Sequence, residues 1–198
     1  MRSRLIEIFL VSNMCAFLLI TTGCGASHVP APESFEELRA KDGAFKIEAP
    51  SGWKSSSGGN SAIQWATLKK GSVEINVNAD VVGSLMMGSP VGTSQTIGGE
   101  GDVDLEPVAD AHEMRKESMA EQYSNYAEQD PERFRCGLGP GRKSQFTATD
   151  LLSKIQGYRA TVLSSKKRIT IICQCSEANW STLQPAFDHV IESLDVGR

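Results

Sequence analysis

Between Val73 and Val81 every second residue is apolar and every residue between is polar: Val-Glu-Ile-Asn-Val-Asn-Ala-Asp-Val. That two-residue period fits a strand with one buried face and does not fit a helix. A strand needs partners, and the sequence supplies them. Phe45-Lys46-Ile47-Glu48-Ala49 alternates in the same way and stops at Pro50-Ser51-Gly52, with Trp53 behind it. Ser55 to Ser61 reads as a Ser/Gly turn. Ala62 to Lys69 is a further strand with Ile63 and Trp65 on one face, turning at Lys70-Gly71. Arg142 to Thr149 predicts a strand, and Tyr158–Leu163 with Arg168–Cys175 predicts a hairpin around Ser164–Lys167.

Helical periodicity occurs twice. Trp180, Leu183, Phe187, Val190, Ile191 and Leu194 form a continuous apolar stripe. Pro185 lies inside it, so either the first turn is irregular or the helix starts near Ser181–Thr182. Asp110, with Glu113 at capping-box spacing, predicts a helix to about residue 127 whose face carries Ala111, Met114, Met119, Tyr123 and Tyr126. The spacing Ser34-Phe-Glu-Glu37, with Gly43 as a stop, predicts a short helix over 35–41. Hairpin-type connections make the sheet mainly antiparallel with helices packed on it, an α+β class. With 198 residues, 40% of them hydrophobic, the chain has enough apolar side chain for one packed domain. Its net charge of −4, without a basic block, excludes nucleic acid as a natural partner.

Residues 1–23 read as an address. Arg2 and Arg4 precede the apolar run Ile8–Ile20, and small residues lead to Gly23-Cys24. The run is too short for an ordinary transmembrane helix. A small residue directly before a cysteine at the end of such a run resembles the bacterial lipobox. The resemblance implies cleavage before Cys24 and lipidation of that residue, hence an extracytoplasmic domain on a bacterial membrane. The alternative is an ordinary signal peptide cut near Cys24. Loss of Arg2, Arg4 and Glu7 takes the net charge from −4 to −5, which an anionic bilayer repels. Residues 24–42 are expected to form a tether that lets the body stand off the surface, with a single domain over 43–198.

The stretch Phe45-Lys-Ile-Glu-Ala-Pro50-Ser-Gly52-Trp53 resembles the first strand of the PsbP-like family, and the stripe Phe187–Leu194 after a strand hairpin is similar to that family's last helix. The resemblance covers about residues 43–196 and implies an α/β/α sandwich around an antiparallel sheet. It also implies a binding or assembly protein rather than an enzyme, with no cofactor; it carries over no site residue.

Three groups of side chains invite chemistry. Cys136, Cys173 and Cys175 are the cysteines left after Cys15 and Cys24. Cys173 and Cys175 share a strand face, so these thiols are candidates for one disulfide with Cys136, for three buried apolar groups, or for a soft-metal site completed by His112 or His189. His112 and His189 are otherwise expected to be solvated or capping residues. The acidic loop 100–106, with Asp102, Asp104 and Glu106, offers oxygen ligands to a single Ca²⁺. Gly83–Pro107 is long and glycine-rich yet carries Leu85, Met86 and Met87, which suit either a protein partner or an uncovered sheet edge. No Gly-x-Ser-x-Gly and no phosphate-loop lysine is present. The leading expectation is a non-catalytic, lipid-anchored protein-binding or assembly domain; a small-ligand or metal-binding module is the alternative.

Overall fold

The computed structural model describes residues 28–81, 106–150, 153–164 and 167–197. The central element is an eight-stranded sheet. Its strands are β3 (Lys54–Gly59), β4 (Ile63–Lys70), β5 (Val73–Val81), β6 (Ser124–Glu128), β7 (Glu132–Cys136), β8 (Gly139–Asp150), β9 (Ser153–Ser164) and β10 (Lys167–Ser176). They pair in the order β3-β4-β5-β10-β9-β8-β6, with β7 also on β8. Every pairing is antiparallel. The expected α+β class and layered architecture are therefore present. β5, the strand most legible in the sequence, lies well inside the sheet.

Alternation sorts the side chains onto two unlike faces. On the first face lie Leu68 from β4, Val73, Ile75, Val77 and Ala79 from β5, and Ile169, Ile171, Cys173 and Cys175 from β10, all buried. Helix α3 (Trp180–Glu192) covers β9 and β10 with Leu183, Phe187, Val190 and Ile191. It follows a 3₁₀ turn at Glu177–Asn179 and runs through Pro185, so the irregularity lies before the helix rather than in a delayed start. A two-stranded hairpin, β1 (Phe35–Arg39) with β2 (Lys46–Pro50), completes this layer through Phe45, Ile47, Ala49 and Trp53. The second face is smaller and more polar. It is covered by α1 (Glu106–Glu113) and α2 (Lys116–Gln122), with a satellite core of Met119, Phe146 and Ala148.

Four local expectations are corrected. Phe35–Arg39 is a strand and not a helix: a helix of so few residues cannot repay its nucleation, whereas pairing Leu38 with Ile47 uses the backbone at once. Residues 54–59 form the edge strand β3 rather than a turn, since β4 offers a complete ladder to a sequence with little preference of its own. The helix expected over 110–127 is two helices and a strand. It starts at Glu106, so Asp110 is internal; it breaks near Arg115, leaving Met114 exposed; and Tyr126 belongs to β6, entered through Asn125 at φ 52°. The tether is also shorter than 24–42. Val29 is buried in the main core, and its N–H donates to Asn179 Oδ1 at 3.1 Å.

The C-terminus closes the first layer. Asp195 and Lys46 exchange backbone hydrogen bonds of 3.0 and 2.9 Å, and Gly137 N–H donates to the Leu194 carbonyl at 2.9 Å. In the sheet, Gly157 permits β9 to pass beneath Phe146: a Cβ there would stand 2.2 Å from the Cys173 carbonyl oxygen and 2.6 Å from Phe146 Cζ. Gly157→Ala is therefore expected to destabilise the fold by about 3 kcal/mol, the upper end of overpacking costs. Urea denaturation at neutral pH measures this.

Candidate functional site

The second face holds the unusual chemistry. Ser144, Arg159 and Thr161 alternate inward from β8 and β9 beneath α1, and all are buried. Arg159 donates from Nε to Glu128 Oε1 at 2.9 Å, and its Nη2 lies 2.7 Å from the same oxygen. Its Nη1 donates to the His112 carbonyl. Tyr126 O–H donates to Glu128 Oε2 at 2.8 Å. His112 lies fully within the fold, with Nδ1 at 2.9 Å from Thr161 Oγ1 and Nε2 at 2.6 Å from Ser144 Oγ. One ion pair thus links α1, β6 and β9, and the histidine ties in β8.

Burial opposes ionisation of Glu128, but the His112 ring beside it and the Arg159 charge outweigh it and hold its pKa at about 2. Burial also lowers the pKa of His112, against the pull of Glu128, so the ring is neutral at pH 7. The geometry is not that of a nucleophile relay. A relay needs the hydroxyl on one ring nitrogen and the carboxylate on the other. Here Thr161 and Ser144 take the two ring nitrogens at 2.9 and 2.6 Å, both hydroxyls are buried, and Glu128 stands 3.6 Å from Nε2, beyond hydrogen-bond distance. The expectation that His112 is solvated or capping is thereby corrected: its ring is a cross-link between layers.

Beside this network the second face opens into a groove of about 330 Å³ between α2 and strands β5 and β10. Asn76, Asn78, Thr170 and Ile172 form its floor, Met119 and Tyr123 its wall, and Arg115 its rim. Tyr123 O–H donates to Gln174 at 2.8 Å, and Asn76 joins Thr67 and Glu74. Three polar atoms of this lining are buried without a hydrogen-bond partner: Arg159 Nη2, which is ion-paired with Glu128, and Thr170 Oγ1 and Arg115 Nε, which have no carboxylate within hydrogen-bond distance. A second, wholly polar cleft lies over β8 near α3. There Lys143 bonds Asp188 at 2.6 Å and Glu132 at 3.1 Å and sits 4.6 Å above the Tyr158 ring. Burial disfavours that cation, yet the two carboxylates prevail and raise its pKa.

Cys136, Cys173 and Cys175 are free thiols in this structure, so the candidate disulfide from Cys136 to Cys173 or Cys175 is not formed in it. Cys173 and Cys175 do share the first face, as their spacing requires. His112 lies on the opposite face, and His189 bonds Glu48 at 2.6 Å on the outer side of α3, so neither completes a thiol metal site. Among the described residues no group of three or more His, Cys, Asp or Glu side chains is placed to hold a metal ion. Cys24, Leu85, Met86, Met87 and residues 100–105 of the acidic loop lie outside the described residues; Glu106 opens α1.

No family model matches the sequence, and no curated protein matches it. Solved structures do. Cyanobacterial PsbP (CyanoP) from Synechocystis sp. PCC 6803 superposes with a TM-score of 0.57 at 12% identity, over 89% of this chain and 98% of that one. The fold is PsbP-like. Weaker likenesses are to a Pseudomonas aeruginosa protein of unknown function described as a putative regulator (TM-score 0.44, 10% identity, 80% of this chain and 94% of that one) and to LpqN of Mycobacterium tuberculosis, involved in cell envelope biogenesis (TM-score 0.41, 9%, 89% and 88%). In this PsbP-like fold the polar network and the groove are properties of the present side chains, because at such identity only the backbone arrangement is shared.

Sequence reasoning did not single out Arg159, Glu128, Ser144 or Thr161. The available signal was Arg159 itself, a charge inside the apolar run of β9 and two residues from Thr161 on the same face. Arg159→Met should cost about 3–5 kcal/mol, because Glu128 would remain buried and unpaired. Chemical denaturation of the variant against the parent checks this. Acid should act in two stages. As pH falls below 6.5 the unfolded chain protonates His112 before the folded one does, and stability declines. Glu128 contributes fully above its unfolded value of 4.5, and that contribution is lost as pH falls towards about 2. His112→Gln should flatten the first stage and reduce the second only in part, because Arg159 still pairs with Glu128, as denaturation midpoints at pH 7, 5.5 and about 3.5 would show.

Proposed function

We propose that the protein is a lipid-anchored, extracytoplasmic binding or assembly domain that acts without catalysis. The observation that carries this reading is the position of the first buried residue among those described, Val29. The apolar address ends at Gly23-Cys24, and the folded body is already engaged at Val29 through Asn179. A lipobox-like cysteine immediately ahead of a PsbP-like body is the arrangement an anchored domain needs. Five residues span at most roughly 18 Å, so a lipidated Cys24 holds this body near the bilayer rather than on the long tether of residues 24–42. The end bearing Asn179 faces the membrane in that arrangement. Val81, at the other end of β5, lies about 27 Å along the strand from Val73 and faces away. From Val81 begins the stretch that carries Leu85, Met86 and Met87, which we assign to contact with a protein partner.

The buried His112 network supports a non-catalytic role, since hydroxyls occupy both ring nitrogens and neither Ser144 nor Thr161 is open to a substrate. The thiols give no support to a metal-binding role, because the histidines lie elsewhere.

Fractionation and intact mass test the anchor. The wild-type chain should be recovered with membranes carrying acyl mass, and Cys24→Ser should abolish that mass and release the protein or leave it unprocessed. Recovery of soluble, unacylated wild-type protein would overturn the anchor. Replacing residues 88–101 by a Gly/Ser connector should change stability by no more than about 1 kcal/mol, as closure entropy varies slowly with length. Affinity capture from membranes, with Leu85, Met86 and Met87 changed to Ser, should lose the partner retained by wild type.

A further inference from the structure

Most polar groups on the second face have partners, and the exceptions in the groove are therefore informative. Thr170 is only 2% exposed and its Oγ1 has no hydrogen-bond partner. Its neighbours across the ladder, Thr161 on β9 and Asn78 on β5, point to the same face. Thr161 is engaged by His112. On the opposite wall the buried Nε of Arg115 is also without an acceptor. Its Nη2 lies 4.0 Å from Asp80, whose carboxylate is already held by Arg168. An unpaired buried donor is costly, and these two in one groove call for an acceptor that the described residues do not supply. Among the described residues no carboxylate lines the groove, whereas Met119 and Ile172 give it apolar surface. Its volume, about 330 Å³, is that of a small-molecule site.

We infer that this groove binds a small organic carboxylate, whose oxygens accept from Arg115 and Thr170 and whose hydrocarbon part rests on Met119 and Ile172. The inference is independent of the anchor and of the protein partner. It also assigns Thr170 a role that packing does not require. A valine of the same shape would remove an unsatisfied hydroxyl and so should favour the free fold.

Calorimetric titration of the full chain in detergent with benzoate and with its uncharged analogue benzamide tests the site. Benzoate is expected to bind, with benzamide at least about tenfold weaker, the loss of a charge-assisted bond. Arg115→Met and Thr170→Val should each weaken benzoate by about tenfold or more. Thr170→Val should at the same time raise Tm by about 2–4 °C without ligand. Equal binding of benzoate and benzamide, binding of neither, or benzoate affinity unchanged in Arg115→Met would overturn the proposal. Arg115 lies between two helices with a half-exposed side chain whose Nε alone is covered, so its variant reports on binding even if Thr170→Val misfolds.

Discussion

The register of β10 between β5 and β9 governs the rest of the molecule. Ile171 stands opposite Val77 on one side and Ala160 on the other, and Thr170 stands opposite Asn78 and Thr161. A slip of one residue would turn Ile169, Ile171, Cys173 and Cys175 away from α3 and bury Thr170 and Gln174 among Phe187 and Leu183. Burying an aliphatic side chain of this kind is worth about 1.5–3 kcal/mol, so the alternative register is excluded by a wide margin. With that register fixed, the apolar layer belongs to α3 and the hairpin, and the polar side chains of β9 and β10, Arg159, Thr161 and Thr170, must be resolved beneath α1 and α2.

The polar face resolves its burden by pairing. Arg159 and Glu128 do little for net stability compared with an apolar pair of the same size, because each was removed from water to form it. What they do is fix geometry. A guanidinium that serves both a β6 carboxylate and the carbonyl of His112 leaves α1 one position along the sheet. The groove lies directly beside this fixed point and shares Arg159 with it. Rigid placement of the floor is what a small site requires, since few contacts there can absorb a displacement.

How far the sequence was legible follows the same division. Alternation in β5 and in β2, the stripe of α3 and the β9–β10 hairpin are repeated apolar signals, and each is present in the fold. The PsbP-like architecture was legible from the strand ending at Trp53 and from that last helix. What could not be read depends on partners distant in sequence. Lys54–Gly59 becomes a strand only because β4 is beside it, and Tyr126 leaves its helical period because Glu128 must reach Arg159, 31 residues on. His112 gave no local sign of burial, since its partners come from β8 and β9. The groove was invisible for the same reason: its floor and wall are separate segments that only the sheet brings together.

The thiols of the first face bear on how this chain tolerates oxidants. Disulfide exchange and oxidation require thiolate, and burial pushes Cys175 up to about 12 and Cys173 well above its ordinary value. Cys136 is raised too, with its S–H donating to the Gly139 carbonyl at 3.5 Å. Once folded, the domain shields Cys173 and Cys175 from oxidants by burial, while Cys136 is only partly covered. Before folding the same three thiols are ordinary and exposed, and in an oxidising compartment they can cross-link wrongly. Closure of α3 over β10 is thus also the step that ends the chain's exposure to mispairing, so slow folding carries a chemical penalty as well as a conformational one.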